Sequence, residues 1–230
     1  MKITWLGHSG FRIEIAGEVL LVDPWLSGNP MFDASRRGEA LEGATHVVVS
    51  HGHADHSTDA ADIARERGIP CVGIYDLMSH LEARHGITTV GFNKGGTVGL
   101  GDVRLTMVAA THSSSLAGPD HPIYAGAEAG YMIEGEGRTI YFSGDTDVMA
   151  DMALFEELHH PEIGILCAGG HFTMDMKRAA FAASKFFNFR TVIPCHYKTF
   201  PFLEQSADAL REGLPGVDVV EPEVLKPIDL

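Results

Sequence analysis

Between Ser50 and Ser57 the chain carries His51-Gly52-His53-Ala54-Asp55-His56, four metal-ligating side chains in six residues. The segment leaves a continuously apolar run, His46-Val47-Val48-Val49-Ser50, of the kind buried on both faces of a sheet. It then enters a stretch, Ser57 to Arg67, whose pattern predicts a helix ending at Gly68. In extended backbone, residues two apart share a face, so His51 and His53 can reach one ion and Asp55 keeps their phase. His56 points elsewhere as the helix begins, which lets one loop serve two neighbouring ions. Gly52 and Ala54 are small enough for a tight turn between the ligands. A polar, solvated loop is the alternative, and the density of donors at a strand end sets it aside.

This loop constrains the rest of the fold, because a protein metal usually takes three or four ligands and others must be brought to it. Three positions suit. His112 follows a strand pattern at Val103–Ala109, Asp145 follows Thr139–Ser143, and His196 follows Thr191–Cys195. Each lies just past the C-terminal end of a strand, where α/β sheets place their chemistry.

The remaining patterns supply a scaffold for that convergence. Ile3 and Trp5, then Phe11, Ile13 and Ile15, then Val19 to Val22 alternate as an antiparallel meander, with Ala16-Gly17-Glu18 as a turn. The meander ends at Asp23-Pro24, and a loop rich in Gly, Pro, Asn and Ser runs to about Gly43. Alternating strands and helices follow, with helices expected at Asp76–His85, Met149–Leu158, Met176–Phe187 and Glu204–Glu212. Each half runs from a meander into alternating strands and helices, and no linker divides them. The expectation is one α/β domain over residues 1–230, built as a four-layer αββα sandwich.

Composition narrows the partners. The 230 residues are 45% hydrophobic and 21% charged, enough for a substantial core. A net charge of −14 argues against nucleic acid or an anionic membrane as the main partner and leaves a small-molecule substrate. Homo-oligomerisation stays open. Cys71, Cys167 and Cys195 match no metal or disulfide spacing and are expected to be reduced core thiols. Cys195 precedes His196, but adjacent strand residues point to opposite faces, which argues against a Cys/His nucleophile. With no signal-peptide pattern and no apolar run near the ~20 residues of a membrane span, a soluble, cytoplasmic protein is expected.

His51-x-His53-x-Asp55-His56, followed in order by His112, Asp145 and His196, resembles the metallo-β-lactamase superfamily over almost the whole chain. The resemblance implies that fold and a dinuclear hydrolase. His51, His53 and His112 would hold one ion, Asp55, His56 and His196 the other, and Asp145 would bridge them. Asp23 matches an early aspartate that holds the metal loop by hydrogen bonds. Trp5-Leu6-Gly7-His8-Ser9, Val22-Asp23-Pro24, Thr111-His112-Ser113-Ser114-Ser115, Phe172-Thr173-Met174 and Pro194-Cys195-His196-Tyr197 look like a branch of metal-dependent hydrolases related to ascorbate-6-phosphate lactonases. Asp175-Met176 and Lys198 depart from that branch's pattern.

The expected chemistry follows. Nitrogen and oxygen donors suit two divalent ions, Zn first, with Mn, Fe or Ni also fitting. A hydroxide bridging the ions would attack a small ester or lactone, with Asp55 orienting it and shuttling a proton. Ser113 to Ser115 are expected to bind substrate or cap the loop. His8 and His171 occupy loops that should open toward the metals and are expected to support ligands or touch substrate. Lys198 would lie beside the second ion and pair with an anionic substrate group, unless it faces solvent and balances nearby carboxylates. The alternatives are a phosphodiesterase, a single-iron dioxygenase on the same fold, or a metal-binding module without turnover.

Overall fold

The computed structural model describes residues Met1–Leu230 and places the ligand-bearing loops at one edge of two packed sheets. The first sheet begins with the antiparallel meander β1 (Lys2–Gly7), β2 (Gly10–Ile15) and β3 (Glu18–Val22). It continues in parallel through β4 (His46–Val49), β5 (Cys71–Ile74) and β6 (Thr89–Phe92). The second sheet repeats this progression. β7 (Thr97–Leu100) pairs antiparallel with β8 (Val103–Ala109), and a small separate ladder of β9 (Ser115–Leu116) and β10 (Ile123–Tyr124) follows. β11 (Ala129–Gly135) pairs antiparallel with both β8 and β12 (Arg138–Phe142). β13 (Ile163–Cys167), β14 (Thr191–Cys195) and the short β15 (Asp218–Val219) then extend the sheet in parallel. The last strand, β16 (Pro227–Asp229), returns to the first sheet and pairs with β1.

Burial follows pairing. β5, β13 and β14 are buried at every residue, as parallel strands covered on both faces must be, while β2 alternates toward its end. The two sheets meet through Phe11 against Phe142, ring centroids 6.2 Å apart, and through Tyr131, whose hydroxyl donates to the Val49 carbonyl at 2.7 Å. One connected hydrophobic core spans both.

Helices cover the outer faces. A single turn α1 (Arg37–Ala40) lies in the loop after β3, and α2 (Ala54–Ser57) continues the metal loop. α3 (Ala60–Arg67) and α4 (Tyr75–His85) pack on the parallel half of the first sheet and end on left-handed Gly68 and Gly86. α5 (Met152–His159), α6 (Met176–Phe186) and α7 (Asp208–Gly213) form the other outer layer, with Tyr141 of β12 meeting Phe155 of α5. The layers are therefore helix, sheet, sheet, helix.

Two local expectations change, and one strand is added to them. The helix expected over Ser57–Arg67 breaks at Thr58-Asp59 into α2 and α3. Asp59 is the reason: its carboxylate accepts from Leu26 N, Ser27 N and the Ser27 hydroxyl at 2.6–2.8 Å, pinning the loop after β3 against the metal loop. The helix expected over Glu204–Glu212 forms only from Asp208, because Glu204 joins the backbone to Gly169 and Lys198 instead. Strand β7, at the edge of its sheet, is four residues long and contains Gly99, too short for its alternation to mark it in the sequence.

Topology decides where chemistry gathers. β8 and β12 are both antiparallel to β11, so they share a direction, and β14 runs parallel to β12. In the first sheet β1 and β3 are both antiparallel to β2, and β4 runs parallel to β3. The turn after β1 therefore opens at the same end of its sheet as the metal loop after β4.

Candidate metal centre

Asp23, fully buried just after β3, organises the metal loop. Its Oδ1 accepts the Ser50 backbone N–H at 2.7 Å, and its Oδ2 accepts the Ser50 hydroxyl at 2.5 Å and His56 Nδ1 at 2.7 Å. A carboxylate only accepts, so His56 carries its proton on Nδ1 and turns Nε2 toward the cluster. Ser50, having given its proton to Asp23, accepts from His51 Nδ1 at 2.9 Å, which turns His51 Nε2 inward too. Thus one buried aspartate sets the ring orientation of two candidate ligands. Its oxygens are already engaged, so it holds the loop rather than joining the donor set, although it lies near His51 and His56.

Gly52 is needed for packing rather than for an unusual turn. A Cβ there would stand 2.6 Å from Ala125 Cβ and 3.2 Å from the Ser115 backbone. Its N–H donates to the Ser114 hydroxyl at 3.1 Å, so the serines after His112 tie the two ligand loops together. Ser113 Oγ lies 3.4 Å from His53 Nε2 and supports that ring with Nδ1 inward.

Two donor groups result. His51, His53 and His112 place their ligand atoms within 4.8 Å of one another, with His51 Nε2 2.9 Å from His53 Nδ1. Asp55, His56 and His196 form the second group together with His8. Asp145 stands between them. Its Oδ2 lies 3.6 Å from His112 Nε2 and 4.0 Å from His51 Nε2 on one side. On the other it lies 3.3 Å from His56 Nε2 and 3.1 Å from His196 Nε2. Ligands held ~2.0–2.1 Å from a tetrahedral ion stand roughly 3.3 Å apart, so these spacings fit shared cations. Buried His56 Nε2 and Asp145 Oδ1 have no hydrogen-bond partner, another sign that the donor set is built for something other than itself. Asp145 follows Gly144, whose φ of +58° and 2.3 Å Cβ approach to the Ala129 carbonyl exclude a side chain.

Electrostatics divide the groups. Burial first, and repulsion among the rings, hold His51, His53 and His112 below the ordinary imidazole pKa. They are neutral and keep lone pairs free. Burial also acts against charge on His196, but Asp145 outweighs it and pushes the ring up to about 9. His56 is raised in the same way by Asp145, Asp55 and Asp23. Burial would raise the carboxyls of Asp55 and Asp145, yet His56 and His196 beside them hold both below the usual range. Without a cation, the second group gathers protons to balance its carboxylates.

His8 belongs to this second group. Its Nε2 donates to Asp55 Oδ2 at 2.9 Å, and Nδ1 accepts from the Thr199 hydroxyl at 2.8 Å. Burial lowers its pKa to about 4, so the ring is neutral. Strained backbone concentrates here as well: His8, Asp23 and His196 have φ of +54°, +46° and +59° without being glycine.

The structure brings together His8, Asp23, His51, His53, Asp55, His56, His112, Asp145 and His196. His171 lies outside the donor groups, exposed and edge-on to Phe172. Of the two courses expected for Lys198, the structure shows the pairing with a nearby carboxylate. Its ammonium pairs with Glu221 Oε2 at 3.0 Å and lies 5.0 Å from the Tyr197 ring centroid, so a neighbouring carboxylate, not the donor cluster, holds it. Asp175 caps α6 by accepting Arg178 N at 2.7 Å. Ser50, Asp59 and Thr199 also support the centre, and the sequence reading does not single them out. A Ser directly before the first His, an Asp inside a helical pattern and a Thr shortly after the last His were the available signals.

Comparison with known proteins identifies the family. The family described as beta-lactamase superfamily domain matches residues 19–197. A UPF0173 metal-dependent hydrolase of Cereibacter sphaeroides is 69% identical, with both chains covered completely. Igni18, a metallo hydrolase from the archaeon Ignicoccus hospitalis, is 31% identical with a TM-score of 0.83, covering all of this chain and 98% of its own. An isothiocyanate hydrolase from Delia radicum gut bacteria shares the fold at 18% identity and TM-score 0.77, covering 100% of this chain and 99% of its own.

Proposed function

The chain belongs to the beta-lactamase superfamily and to its UPF0173 metal-dependent hydrolases, and from that premise we propose that it uses two divalent cations to hydrolyse a small carboxylic ester or lactone. The observation that carries this reading is Asp145 Oδ2, set 3.1–4.0 Å from histidine nitrogens of both donor groups. His51, His53 and His112 would hold one cation, Asp55, His56 and His196 the other, with Asp145 shared. Nitrogen and oxygen donors suit Zn, and Mn, Fe or Ni fit as well. Bound there, the cations would supply Lewis acidity and bring the pKa of a shared water from ~15.7 toward ~7.

The chain's own residues do the rest. Asp55 is the carboxylate of the group that reaches solvent, with its side chain 31% exposed, so it can take a proton from water and return one to the leaving oxygen. His8 fixes the Asp55 carboxylate, and Thr199 fixes His8. Asp23 keeps His51 and His56 in one tautomer each, so neither ring needs to reorganise during turnover. The three cysteines are buried, and burial raises their thiols, Cys71 and Cys167 to about 12, which leaves no thiolate nucleophile.

Elemental analysis and a substrate panel test the proposal together. Two equivalents of metal per chain are expected, with aryl esters and lactones cleaved faster than a bis-aryl phosphate. One iron per chain with oxygen consumption would move the chain to a dioxygenase reading. Fastest cleavage of the phosphodiester would move it to a phosphodiesterase.

A further inference from the structure

Four aromatic side chains from three loops stand beside the second donor group. Trp25 and Phe200 lie 5.3 and 6.1 Å from the His8 ring, and Phe172 lies 6.5 Å from His196. They also meet one another in series. Trp25 is 6.3 Å from Phe200, Phe200 stacks on Phe202 at 5.5 Å, and Phe202 meets Phe172 edge-on at 6.0 Å. Two of the four are out in solvent: Phe172 is 55% exposed and Phe202 56%. A contiguous, partly exposed aromatic wall calls for a function, where a single exposed Phe would not.

The charges nearby narrow that function. The loops carrying Phe172 and Phe202 also border a cleft of about 700 Å³, a size that suits a small molecule. Its charged lining is Asp175 and Glu204, with no Lys or Arg. Lys198, the basic residue closest in sequence to His196, is held by Glu221. An anionic group on the substrate would lose water against ring faces and meet like charge. An uncharged planar or aliphatic group would stack on the rings.

We propose that Trp25, Phe172, Phe200 and Phe202 bind the non-reacting part of the substrate and select an uncharged aromatic or aliphatic group over an anionic one. The inference rests on the hydrolase reading and names the substrate class for it: esters or lactones with an apolar acyl portion. The wall continues directly from His8 and His196, so a group seated on it lies next to the bond that would be cleaved.

Binding is measured separately from turnover, on the full metal-loaded chain. Half-buried Trp25 reports occupancy by fluorescence, while Trp5 is buried against Tyr197. Titrations with 4-phenylbutanoate and glutarate compare apolar and anionic ends on similar carboxylates. The first should bind about ten-fold tighter, as expected for burying a phenyl group. The signal should vanish in Trp25→Phe. Phe172→Ala with Phe202→Ala should cut the preference about five-fold, with melting temperature and metal content unchanged. In parallel, kcat/KM should rise about ten-fold from 4-nitrophenyl acetate to the hexanoate and fall for the hemiglutarate, and this slope should flatten in the double variant. If the binding preference holds but no ester or lactone is cleaved, the hydrolysis reading fails and the wall stands. Equal or tighter glutarate binding, or a preference untouched by the double variant, overturns the proposal. So does a concentration-dependent dimer that the double variant dissolves, with no preference between the acids, since the face then belongs to a second copy.

Discussion

The two donor groups differ in surroundings more than in position. His53 and His112 of the first are half-buried, and all three of its rings are neutral imidazoles. In the second, His8, His56 and His196 are buried, Asp55 is half-buried, and His56 and His196 are pushed toward protonation. The difference teaches that the groups should load by different routes. The first offers lone pairs that need no proton release. A cation entering the second must displace protons drawn there by Asp145, Asp55 and Asp23.

The largest effect should come from removing what the groups share. Asp145→Ala takes a carboxylate from both, so metal content should fall at both sites and turnover by about 10³-fold, a loss of several kcal/mol of electrostatic stabilisation. Loss confined to one equivalent would show that Asp145 serves one group only. A smaller and uneven effect is expected for Asp23→Asn. His56 loses its direct partner, whereas His51 is linked to Asp23 only through Ser50, so the second group should weaken first. Changes to such supporting partners typically cost about 10–100-fold in metal affinity. Equal weakening of both groups would remove the distinction.

The smallest effect is a pH dependence in protein stripped by chelator. His196 rises to about 9 on folding from its ordinary 6.5. A raised pKa gives stability that is complete below about 6.5 and is lost as pH climbs through 9. Tm of the stripped protein should therefore fall by on the order of ten degrees across that range, at about 2–4 °C per kcal/mol for a chain of this size. The metal-loaded protein should lack this component, because the cation replaces the proton. The buried thiols contribute equally to both forms, so the comparison isolates the second group. Parallel pH profiles for the two forms would contradict the assignment.

Much of this centre was legible because its grammar is local. Three histidines and an aspartate within His51–His56 sit between a continuously apolar strand and a helix, and His112, Asp145 and His196 each follow a strand. His8 was harder to place, since its partners Asp55 and Thr199 lie 47 and 191 residues away. The meander held the clue, because β1 shares the direction of β3 and its end must open beside Asp23. Helical periodicity assigns Asp59 to a helix interior because it does not register a carboxylate recruited by the Leu26-Ser27 backbone. The sequence leaves Lys198 two courses for a related reason. Adjacency to His196 says nothing about Glu221, 23 residues on, which captures the ammonium.

Anomalous diffraction from metal-loaded crystals tests the central claim most directly. Two peaks are predicted in each chain. One should be coordinated by His51 Nε2, His53 Nδ1 and His112 Nε2, the other by Asp55, His56 and His196, with Asp145 touching both. A single peak after loading, or a second peak coordinated by residues outside these groups, would contradict the account.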